Sequence, residues 1–324
     1  MRIIVMGTGP FAVPMFESIL AAGHDVPVVV TRPLPPTRGR KKPLVNPMRE
    51  AANRHGLKLL DPTDVNATDF VAELADLKAD LLVVCDFGQI LSSATLGVTS
   101  LGGINLHGSL LPKYRGAAPV QWAIINGDTT TGITVIHMTP KLDGGPALYQ
   151  LEVAIDTTET AQQLEHRLAA LGAPAVIDTI EILAKWDQTS TIGTLQDKQL
   201  VTQAPRLHKQ LGNIPWSKPA TDIINLHRGL CPWPGCFTQW QRDNGKPLRL
   251  IIIEMTLAEQ SPAHVDVKPG TVVANPNNEN GRHLHVATGN GCISIDRLQP
   301  AGKRVLAIDE FLRGYQLKPG AQLG

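Results

Sequence analysis

The sequence predicts two folded parts: an α/β domain with an open, mostly parallel, Rossmann-like sheet, followed by a small OB-like β-barrel. Short apolar runs alternate with amphipathic stretches over the first half, and residues 81–87 form a near-continuous apolar run typical of a strand buried on both faces. From residue 235 onward, strand-like runs are separated by Asp-Asn-Gly and Gly-Asn-Gly turns. We therefore expect a catalytic domain over residues 1–188, a linker over 189–206 and a barrel domain over 207–324.

The elements of the first domain follow from this alternation. The helix at 47–55 has the clearest start, because Asn46 suits the N-cap and Pro47 suits the first turn. Strands are expected at 2–6, 26–31, 57–60, 81–87, 104–107, 131–138 and 147–155, and helices at 11–22, 47–55, 67–77 and 118–126. Ligands of such sheets bind at the carboxyl ends of the strands, so the site is expected there.

A long helix, a polar segment and the barrel make up the second half. Leucine and alanine recur at helical spacing over residues 160–186, where Pro174 is expected to kink the helix. Residues 187–205 are polar and weakly periodic, which indicates the linker. A helix capped by Ser217 and ending near residue 230 precedes the barrel strands, and a short helix at 308–313 follows them.

Composition indicates a globular protein and limits how the chain can bind nucleic acid or a membrane. The chain has 324 residues, 43% of them hydrophobic and 18% charged, which is ordinary for a globular protein with a large core. Its 30 Lys and Arg against 29 Asp and Glu give a net charge of +1, so a nucleic-acid partner requires a local basic patch. No run reaches the roughly 20 apolar residues of a membrane helix. We expect a cytoplasmic protein without a membrane segment.

Two further patterns carry little weight as sites. Gly7-Thr8-Gly9-Pro10 follows the first strand as a dinucleotide loop would, but the glycine pattern is incomplete and no acidic residue ends the second strand to bind a ribose. A tight strand-to-helix turn is expected instead. His283 and His285 share a strand face, yet no third ligand with suitable spacing is visible, so no metal site is expected.

The densest group of chemistry-bearing residues ends the strand predicted at 104–107. Asn105 and His107 are two residues apart, so both side chains point to the same face. A lone histidine is often a satisfied core residue, but the Asn partner and the Gly- and Pro-rich loop that follows favour a site. Asp143, in the glycine-rich loop after the strand at 131–138, offers a third polar group to hold the histidine.

These residues belong to a longer pattern. Asn105-x-His107-Gly108-Ser109-Leu110-Leu111-Pro112-x-x-Arg115-Gly116, followed by Asp143, resembles the signature of formyltransferases that use 10-formyltetrahydrofolate. Other segments, in order along nearly the whole chain, are similar to family members that act on methionyl-tRNA: Phe11-Ala12-Val13-Pro14, Arg38-Gly39-Arg40-Lys41-Lys42, Gly116-Ala117-Ala118-Pro119, Asn126-Gly127-Asp128, Trp216-Ser217-Lys218-Pro219-Ala220, Pro232-Trp233-Pro234-Gly235, Pro269-Gly270-Thr271 and Leu298-Gln299-Pro300-Ala301-Gly302-Lys303-Arg304. The chain departs from the pattern at Gly9, where the family has Pro, at Asp86-Phe87, where it has Ala-Tyr, and at Pro215, where it has Asp.

The resemblance implies transfer of a formyl group from 10-formyltetrahydrofolate, the co-substrate, to the amine of methionine on initiator tRNA. It makes Asn105, His107 and Asp143 the catalytic residues. Asn105 and His107 would donate to the oxyanion, while Asp143 would either hold His107 in its charged form or relay the amine proton through water. The residues expected to hold the folate are Ser109, Leu110, Leu111, Pro112, Phe87, Gly88 and Ile90, the first four through backbone groups, with Gln121 as an assistant.

Initiator tRNA is the implied partner, and two basic sets are candidates to bind it. Arg38, Arg40, Lys41 and Lys42 lie close together in a Pro- and Gly-containing loop, which suits phosphates better than the ordinary solvated charge run. Lys303 and Arg304 in the barrel form the second set, with Lys246 and Arg249 in the same predicted domain. The protein is expected to be a monomer and to need no metal.

Three alternatives remain. The first is a formyltransferase that acts on an amino-sugar nucleotide, which would not need the basic loop at 38–42. The second is a non-catalytic RNA-binding protein on the same scaffold, against which the intact Asn105, His107 and Asp143 argue. The third and weakest is a nicotinamide-dependent oxidoreductase.

Overall fold

The computed structural model describes residues 1–35, 45–242, 245–258, 267–274 and 283–324. The chain divides into two units. The first contains Met1–Val120, Thr129–Asp156 and Gln163–Arg206, and the second contains Gln121–Asp128, Thr157–Gln162 and Leu207–Gly324. Residues 189–206, for which the sequence predicts a linker, therefore fold within the first unit.

The first unit is built on a mixed sheet. The strands of this unit are β1 (Ile3–Gly7), β2 (Val29–Val30), β3 (Leu59–Leu60), β4 (Leu81–Cys85), β5 (Gly103–His107), β6 (Arg115–Gly116), β7 (Thr130–His137), β8 (Ala147–Ala154) and β9 (Gln203–Ala204). Seven of them form one sheet in the order β3-β2-β1-β4-β5-β7-β8, and β6 pairs separately with β9. Neighbours from β3 to β5 are parallel, whereas β7 and β8 are antiparallel. The predicted open, mostly parallel sheet is confirmed.

Helices connect these strands. They are α1 (Val13–Ala21), α2 (Pro47–Arg54), α3 (Thr68–Asp76), α4 (Ser93–Leu96), α5 (Pro119–Ile125) and α6 (Ala161–Ala184). The predicted cap of α2 is confirmed, since the side chain of Asn46 accepts a hydrogen bond from the backbone N–H of Arg49 at 3.0 Å. Helix α6 continues through Pro174 as a single element.

The two faces of the sheet are covered by different helices. Val84 packs in one buried cluster with Leu74 of α3, and its in-register neighbour Asn105 is therefore on that face of the sheet. Leu106, which points to the opposite face, lies against Gly172 of α6. This places the predicted catalytic strand between two covered faces, with its carboxyl end at the open edge.

The structure also differs from the sequence prediction in the details of several elements of the first unit. Strand β4 ends at Cys85 rather than at residue 87, because Asp86 and Gly88 have positive φ values of 45° and 78° and cannot continue an extended strand. A short 3₁₀ helix, Pro10–Ala12, precedes α1. The polar segment before residue 206 contains a 3₁₀ turn, Lys198–Leu200, and strand β9. Short, polar, non-periodic segments of this kind give no hydrophobic pattern to detect.

The second unit contains the predicted β-barrel elements. They are the 3₁₀ helix Lys209–Gly212, α7 (Ala220–Leu230), β10 (Cys236–Trp240), β11 (Leu248–Leu257), β12 (Val272–Val273), β13 (Leu284–Ala287), β14 (Cys292–Pro300), β15 (Leu306–Ala307) and α8 (Ile308–Gly314). The antiparallel sheet has the order β10-β11-β14-β13-β12. The predicted cap at Ser217 is wrong: the N-cap of α7 is Pro219, which has no side chain able to cap.

Residues at the end of the chain span the gap between the two edge strands of this sheet. Leu323 bridges to Trp240 at the end of β10, and Gln322 bridges to Thr271 beside β12. The backbone N–H of Val272 donates to the Ala321 carbonyl at 2.8 Å, and that of Gly324 donates to the Gln239 carbonyl at 2.9 Å. The barrel is thus completed by residues far from β10 and β12 in sequence. Among the described residues of the whole chain, no helix is both long and apolar enough to cross a membrane.

Candidate active site

The topology places a crevice at the carboxyl edge of the first unit's sheet. Strand β1 lies between β2 and β4, so the chain connections leave it in opposite directions at this point. Crevices of parallel α/β sheets open where the strand order reverses in this way. The carboxyl ends of β1, β4 and β5 therefore meet at the same edge. They bring together the Gly7-Thr8-Gly9 turn, the 86–90 segment and His107, the last residue of β5.

Asn105 and His107 end strand β5 on the same face, as predicted. The backbone of Asn105 is held between Val84 of β4 and Ile136 of β7, so the side chain stands on a rigid central strand. Asn105 is half-buried, and its amide makes no hydrogen bond to protein within the described ranges. An amide held rigidly with its polar groups free suits a ligand contact.

His107 is held by a backbone carbonyl that the sequence analysis did not identify. Its ring is 5% exposed, and Nε2 lies 2.9 Å from the carbonyl oxygen of Tyr114. Because a carbonyl only accepts, Nε2 carries the hydrogen in this contact. The second ring nitrogen, Nδ1, lies 3.8 Å from Oδ1 of Asp143, within ion-pair range but too far for a direct hydrogen bond.

Asp143 is fixed by the backbone of the loop after β5. Its other oxygen, Oδ2, accepts a hydrogen bond from the Gly116 N–H at 2.8 Å. The side chain is 10% exposed, and the residue has a φ of 47°, in the left-handed region that a non-glycine residue adopts at a cost. The structure therefore brings the three predicted catalytic residues together, with Asp143 facing Nδ1 and Tyr114 facing Nε2 of His107.

The loop expected to bind folate through backbone groups uses most of those groups internally. Thr134 on β7 donates to the carbonyl of Ser109 at 2.7 Å and accepts from the Leu111 N–H at 3.1 Å. Gln150 on β8 donates to the Leu111 carbonyl at 2.7 Å. Ser109 and Leu111 are buried, whereas Leu110 and Pro112 keep accessible surface. The first pair anchors the loop, and the second pair is placed to contact a ligand.

The loop after β4 divides in a similar way. Phe87 is 2% exposed and packs in the core cluster with Val30 and Val84, so its ring lies in the protein interior. Gly88 and Ile90 are exposed, with 58% of Ile90 accessible. Asn66 holds the end of the loop by donating to the Ile90 carbonyl at 2.8 Å. Ile90 thus presents an apolar side chain at the crevice edge on a fixed backbone.

Two departures from the resembled pattern are in direct contact. The carboxylate of Asp86 occupies the place where a Cβ on residue 9 would stand, so any other residue at Gly9 requires the Asp86 side chain to move. Asp86 keeps accessible surface, but protein surrounds its carboxyl group. This burial raises the pKa of Asp86 to about 7, and negative charge from Glu165 adds to the rise, while the Gly9 N–H and Arg32 oppose it.

The predicted tRNA-binding residues are only partly described. Arg38, Arg40, Lys41 and Lys42 lie outside the described residues. Lys303 and Arg304 follow β14 in the second unit and are exposed, and Arg304 forms an ion pair with Glu310 at 3.2 Å. Part of the Arg304 charge is therefore compensated within the unit.

Gln121, the residue expected to assist in folate binding, lies on α5.

The groups that hold the site and that the sequence analysis did not identify are two backbone groups and three side chains. They are the Tyr114 carbonyl, the Gly116 N–H and the side chains of Thr134, Gln150 and Gln196. Gly116 alone carried a signal, because its φ of 128° requires glycine and it belongs to the quoted pattern. Within the described residues, no group of three or more His, Cys, Asp or Glu is arranged to hold a metal ion.

This geometry suits nucleophilic attack on a carbonyl. A carbonyl carbon at the crevice can be attacked while the Asn105 amide donates to the developing oxyanion. His107 Nδ1 and the Asp143 carboxylate face each other at a distance of 3.8 Å. A substrate that binds beside them can therefore exchange a proton with either group. The exposed Ile90 and the half-buried Leu110 and Pro112 add an apolar edge that fits a flat heterocycle.

Comparison with known proteins gives two family matches. Residues 1–180 match the family model described as Formyl transferase, and residues 206–316 match the model described as Formyl transferase, C-terminal domain. A protein of Rhodopirellula baltica named methionyl-tRNA formyltransferase is 43% identical, covering 100% of this chain and 96% of the relative. One of the same name from Geotalea uraniireducens is 40% identical, covering 100% of this chain and 98% of the relative.

Solved structures share the fold at low sequence identity. A sugar 3N-formyl transferase, WlaRD, determined with dTDP and 5-N-formyl-THF, has a TM-score of 0.63 and 18% identity, covering 94% of this chain and 99% of its own. HypX from Aquifex aeolicus, determined with tetrahydrofolic acid, has a TM-score of 0.61 and 13% identity, covering 96% of this chain and 46% of its own.

Proposed function

Because this chain belongs to the formyl transferase family, we propose that it transfers the formyl group of 10-formyltetrahydrofolate to the α-amine of methionine esterified to initiator tRNA. The observation that carries the proposal is full-length identity of 43% to a relative named for this activity, with both family domains in order. The arrangement of Asn105, His107 and Asp143 supplies chemistry suited to the reaction. The reaction makes the protein part of translation initiation, in the cytoplasm where both substrates occur.

The proposed mechanism assigns a separate task to each residue. The methionine amine attacks the formyl carbon, and the Asn105 N–H stabilises the oxyanion that forms. Since His107 Nε2 is occupied by the Tyr114 carbonyl, the reacting nitrogen is Nδ1. The proton that leaves the amine passes through Nδ1 and Asp143 to folate N10 as the bond between carbon and N10 breaks. One proton leaves the amine and one arrives at N10, so the step balances.

The folate contacts follow from accessibility. Leu110, Pro112, Gly88 and Ile90 keep surface toward solvent, so they are the residues we place against the co-substrate. Ser109, Leu111 and Phe87 are buried and support the same loops from within. No metal is required for this chemistry, because the oxyanion is met by hydrogen-bond donors.

The direct test is an assay with the full chain, 10-formyltetrahydrofolate and charged initiator methionyl-tRNA. We expect formylmethionyl-tRNA, and no product with a tRNA whose methionine is already acylated, which serves as the control. An amino-sugar nucleotide is offered in a parallel reaction, because WlaRD shares the fold. Formylation of the amino sugar alone would support the alternative and refute the proposal.

Recognition of tRNA is proposed to use the basic loop and the barrel. We assign Arg38, Arg40, Lys41 and Lys42, together with Lys303 and Arg304, to phosphate contacts. Replacing the first four residues by Ala should weaken tRNA binding and flatten its salt dependence, with the slope falling by about 0.7 to 0.9 for each phosphate that is no longer neutralised. Folate affinity is the internal control and should stay unchanged. If mutant and wild type show identical salt dependence of tRNA binding, the basic loop does not contact tRNA phosphates.

We propose that the protein acts as a monomer. His107, Asp143 and the backbone groups that hold them contact one another directly, so this arrangement does not require a residue from a second copy. Light scattering coupled to size exclusion, with and without tRNA, measures the mass of the active species. A dimer as the active species would contradict this proposal.

A further inference from the structure

A continuous stretch of the first unit, residues 194–204, connects the loops around His107. Thr194 forms an antiparallel bridge with Ala147 at the start of β8, with N–H to O distances of 2.8 Å in both directions. Thr202 accepts from the Tyr114 N–H through its hydroxyl at 2.8 Å and from the Arg115 N–H through its carbonyl at 2.9 Å. Strand β9 then pairs with β6. This stretch, which lies within the predicted linker, holds both loops that contact the His107 ring.

Gln196 stands at the centre of this stretch. Its Nε2 donates to the carbonyl oxygens of Asp143 at 2.8 Å and Gly145 at 2.7 Å. Its Oε1 accepts from Arg115, at 3.1 Å from Nε and 2.6 Å from Nη2. Both ends of one amide are thus used, one on the Asp143 loop and the other on the buried Arg115.

We propose that Gln196 is a positioning residue for the formyl transfer, acting through Asp143. This inference rests on the proposed function and adds a residue to it. The contacts of Gln196 are with Arg115 and with the Asp143 loop, so the proposed mechanism assigns it no contact with the reacting atoms. It fixes the backbone of Asp143, so that one carboxylate oxygen stays on the Gly116 N–H and the other faces His107 Nδ1.

The need for such a residue follows from the backbone of Asp143. A non-glycine residue in the left-handed region is strained and persists only where its surroundings hold it. Asp143 has a φ of 47°, and the loop residues before it, Lys141 and Leu142, are exposed. The two N–H groups of Gln196 hold the carbonyls on this loop, while Gly116 holds the carboxylate. Without Gln196 the loop can relax and move the carboxylate away from Nδ1.

The chemical nature of the amide is also required. A donor is needed toward the two carbonyls and an acceptor toward the guanidinium of Arg115. Glutamate at this position would keep the acceptor and the size but would place negative charge against two carbonyl oxygens. The Gln196→Glu variant therefore separates the contact with Arg115 from the contact with Asp143.

The test compares Gln196→Ala and Gln196→Glu with wild type in the formylation assay. Since displacements of about 1 Å can cost 100-fold in rate, we expect kcat to fall on the order of 10- to 100-fold in both variants. KM for folate and for tRNA should stay within a factor of about 3, because the proposal assigns neither substrate a contact with Gln196. Gln199→Ala is the matched control: Gln199 is exposed in the same stretch, and its side chain makes no hydrogen bond within the described ranges.

A second measurement separates positioning from general disruption of the structure. In an Asp143→Asn background, the additional change Gln196→Ala should lower kcat by less than about 2-fold. The reason is that Gln196 acts by positioning the Asp143 carboxylate, which this background lacks. The pH profile of kcat should also change in Gln196→Ala and not in Gln199→Ala. Additive decreases with Asp143→Asn, or wild-type kcat in Gln196→Glu, would overturn the inference.

The inference and the proposed function fail in different ways. If wild type makes no formylmethionyl-tRNA, the proposed function is wrong and the inference falls with it. If wild type is active and the Gln196 variants keep wild-type kcat and pH profile, the inference alone is wrong. Thermal unfolding of each variant is recorded in the same buffers, and Gln196→Glu, which keeps the Arg115 contact, is the variant expected to retain the fold.

Discussion

At the scale of single residues, the site depends on which atom of each side chain remains available. His107 Nε2 donates to the Tyr114 carbonyl, and one oxygen of Asp143 accepts from the Gly116 N–H. The Asn105 amide remains available to a ligand. The remaining atoms are a ring nitrogen, a carboxylate oxygen and an amide, and these are the groups that an acyl transfer between two amines needs.

Asn105 gives the simplest prediction at this scale. Asn105→Asp keeps the size of the side chain but removes the N–H that donates to the oxyanion. We expect kcat to fall about 100- to 1000-fold, as when one such donor is removed elsewhere. Thermal unfolding should change little, because the native amide has no hydrogen-bond partner among the described residues. Steady-state kinetics at saturating folate measure the effect, and a kcat near that of wild type would remove Asn105 from the chemistry.

Asp86 gives a prediction about pH. Its pKa of about 7 in the folded protein lies above the ordinary value of 3.8, so the folded state holds the proton more tightly than the unfolded state. Stability from this group is fully present below pH 3.8 and is lost as the pH rises through 7. Asp86→Asn should therefore raise the melting temperature relative to wild type more at about pH 8 than at about pH 5. Asp76→Asn, on the exposed side of α3, is the control for removal of one carboxylate. An equal difference at both pH values would contradict the assignment.

At the scale of elements, the short parallel pair β6 and β9 matters more than its length suggests. It fixes Gly116, whose N–H holds Asp143, and Ala204, whose carbonyl accepts from Ala117 at 2.8 Å. A two-residue pairing of this kind has little stability of its own. It persists because Gln196, Thr202 and the β8 bridge hold the same stretch from other sides.

Gly116→Ala tests this element. A Cβ there would lie 2.5 Å from the Ala204 carbonyl oxygen, and φ is 128°, so the pairing must open. We expect stability to fall on the order of 1 to 3 kcal/mol and kcat to fall at least about 10-fold, because the N–H that holds Asp143 moves with the strand. Gly56→Ala is the matched control, since Gly56 also has a positive φ, 66°, but nothing within 4 Å of the new Cβ. If kcat falls equally in both variants, the effect is strain in general and not the β6–β9 pairing.

At the scale of the whole molecule, each unit is held together by contacts between distant segments. In the first unit, residues 194–204 bind loops that follow β5 and β7. In the second, Gln322 and Leu323 connect strands that lie at opposite ends of the sheet order. In each unit, a segment that is distant in sequence therefore links strands and loops that do not contact each other directly.

Leu323→Ala tests the completion of the barrel. Leu323 is 1% exposed, and truncation of such a leucine costs about 2 to 5 kcal/mol. We expect faster amide hydrogen exchange at Val272 and weaker tRNA binding, with folate binding unchanged. Leu257→Ala is the control, because Leu257 is 55% exposed on β11. Unchanged exchange at Val272 would show that the terminal residues do not hold the edge strands together.

The sequence by itself determined the type and order of most elements and indicated which side chains gather at the proposed site. The spacing of hydrophobic residues and the buried apolar runs predicted the sheet. Asn46 and the proline that follows it predicted the helix cap, and the two-residue spacing of Asn105 and His107 placed both side chains on one face. These are local properties, since each is set by residues a few positions apart. The loop position of Asp143 suggested that it holds His107, and the resemblance added its place in the reaction and the substrates, again from short motifs.

Only the tertiary structure decided how those side chains are held. The Tyr114 carbonyl, the Gly116 N–H and the Gln196 amide make contacts between segments that are distant in sequence, or through backbone atoms, which every residue type possesses. The contact between Gly9 and Asp86 and the completion of the barrel by Leu323 are of the same kind. Such contacts leave no periodicity or composition in the chain, because their free energy depends on the three-dimensional approach of groups and not on the order in which the residues occur.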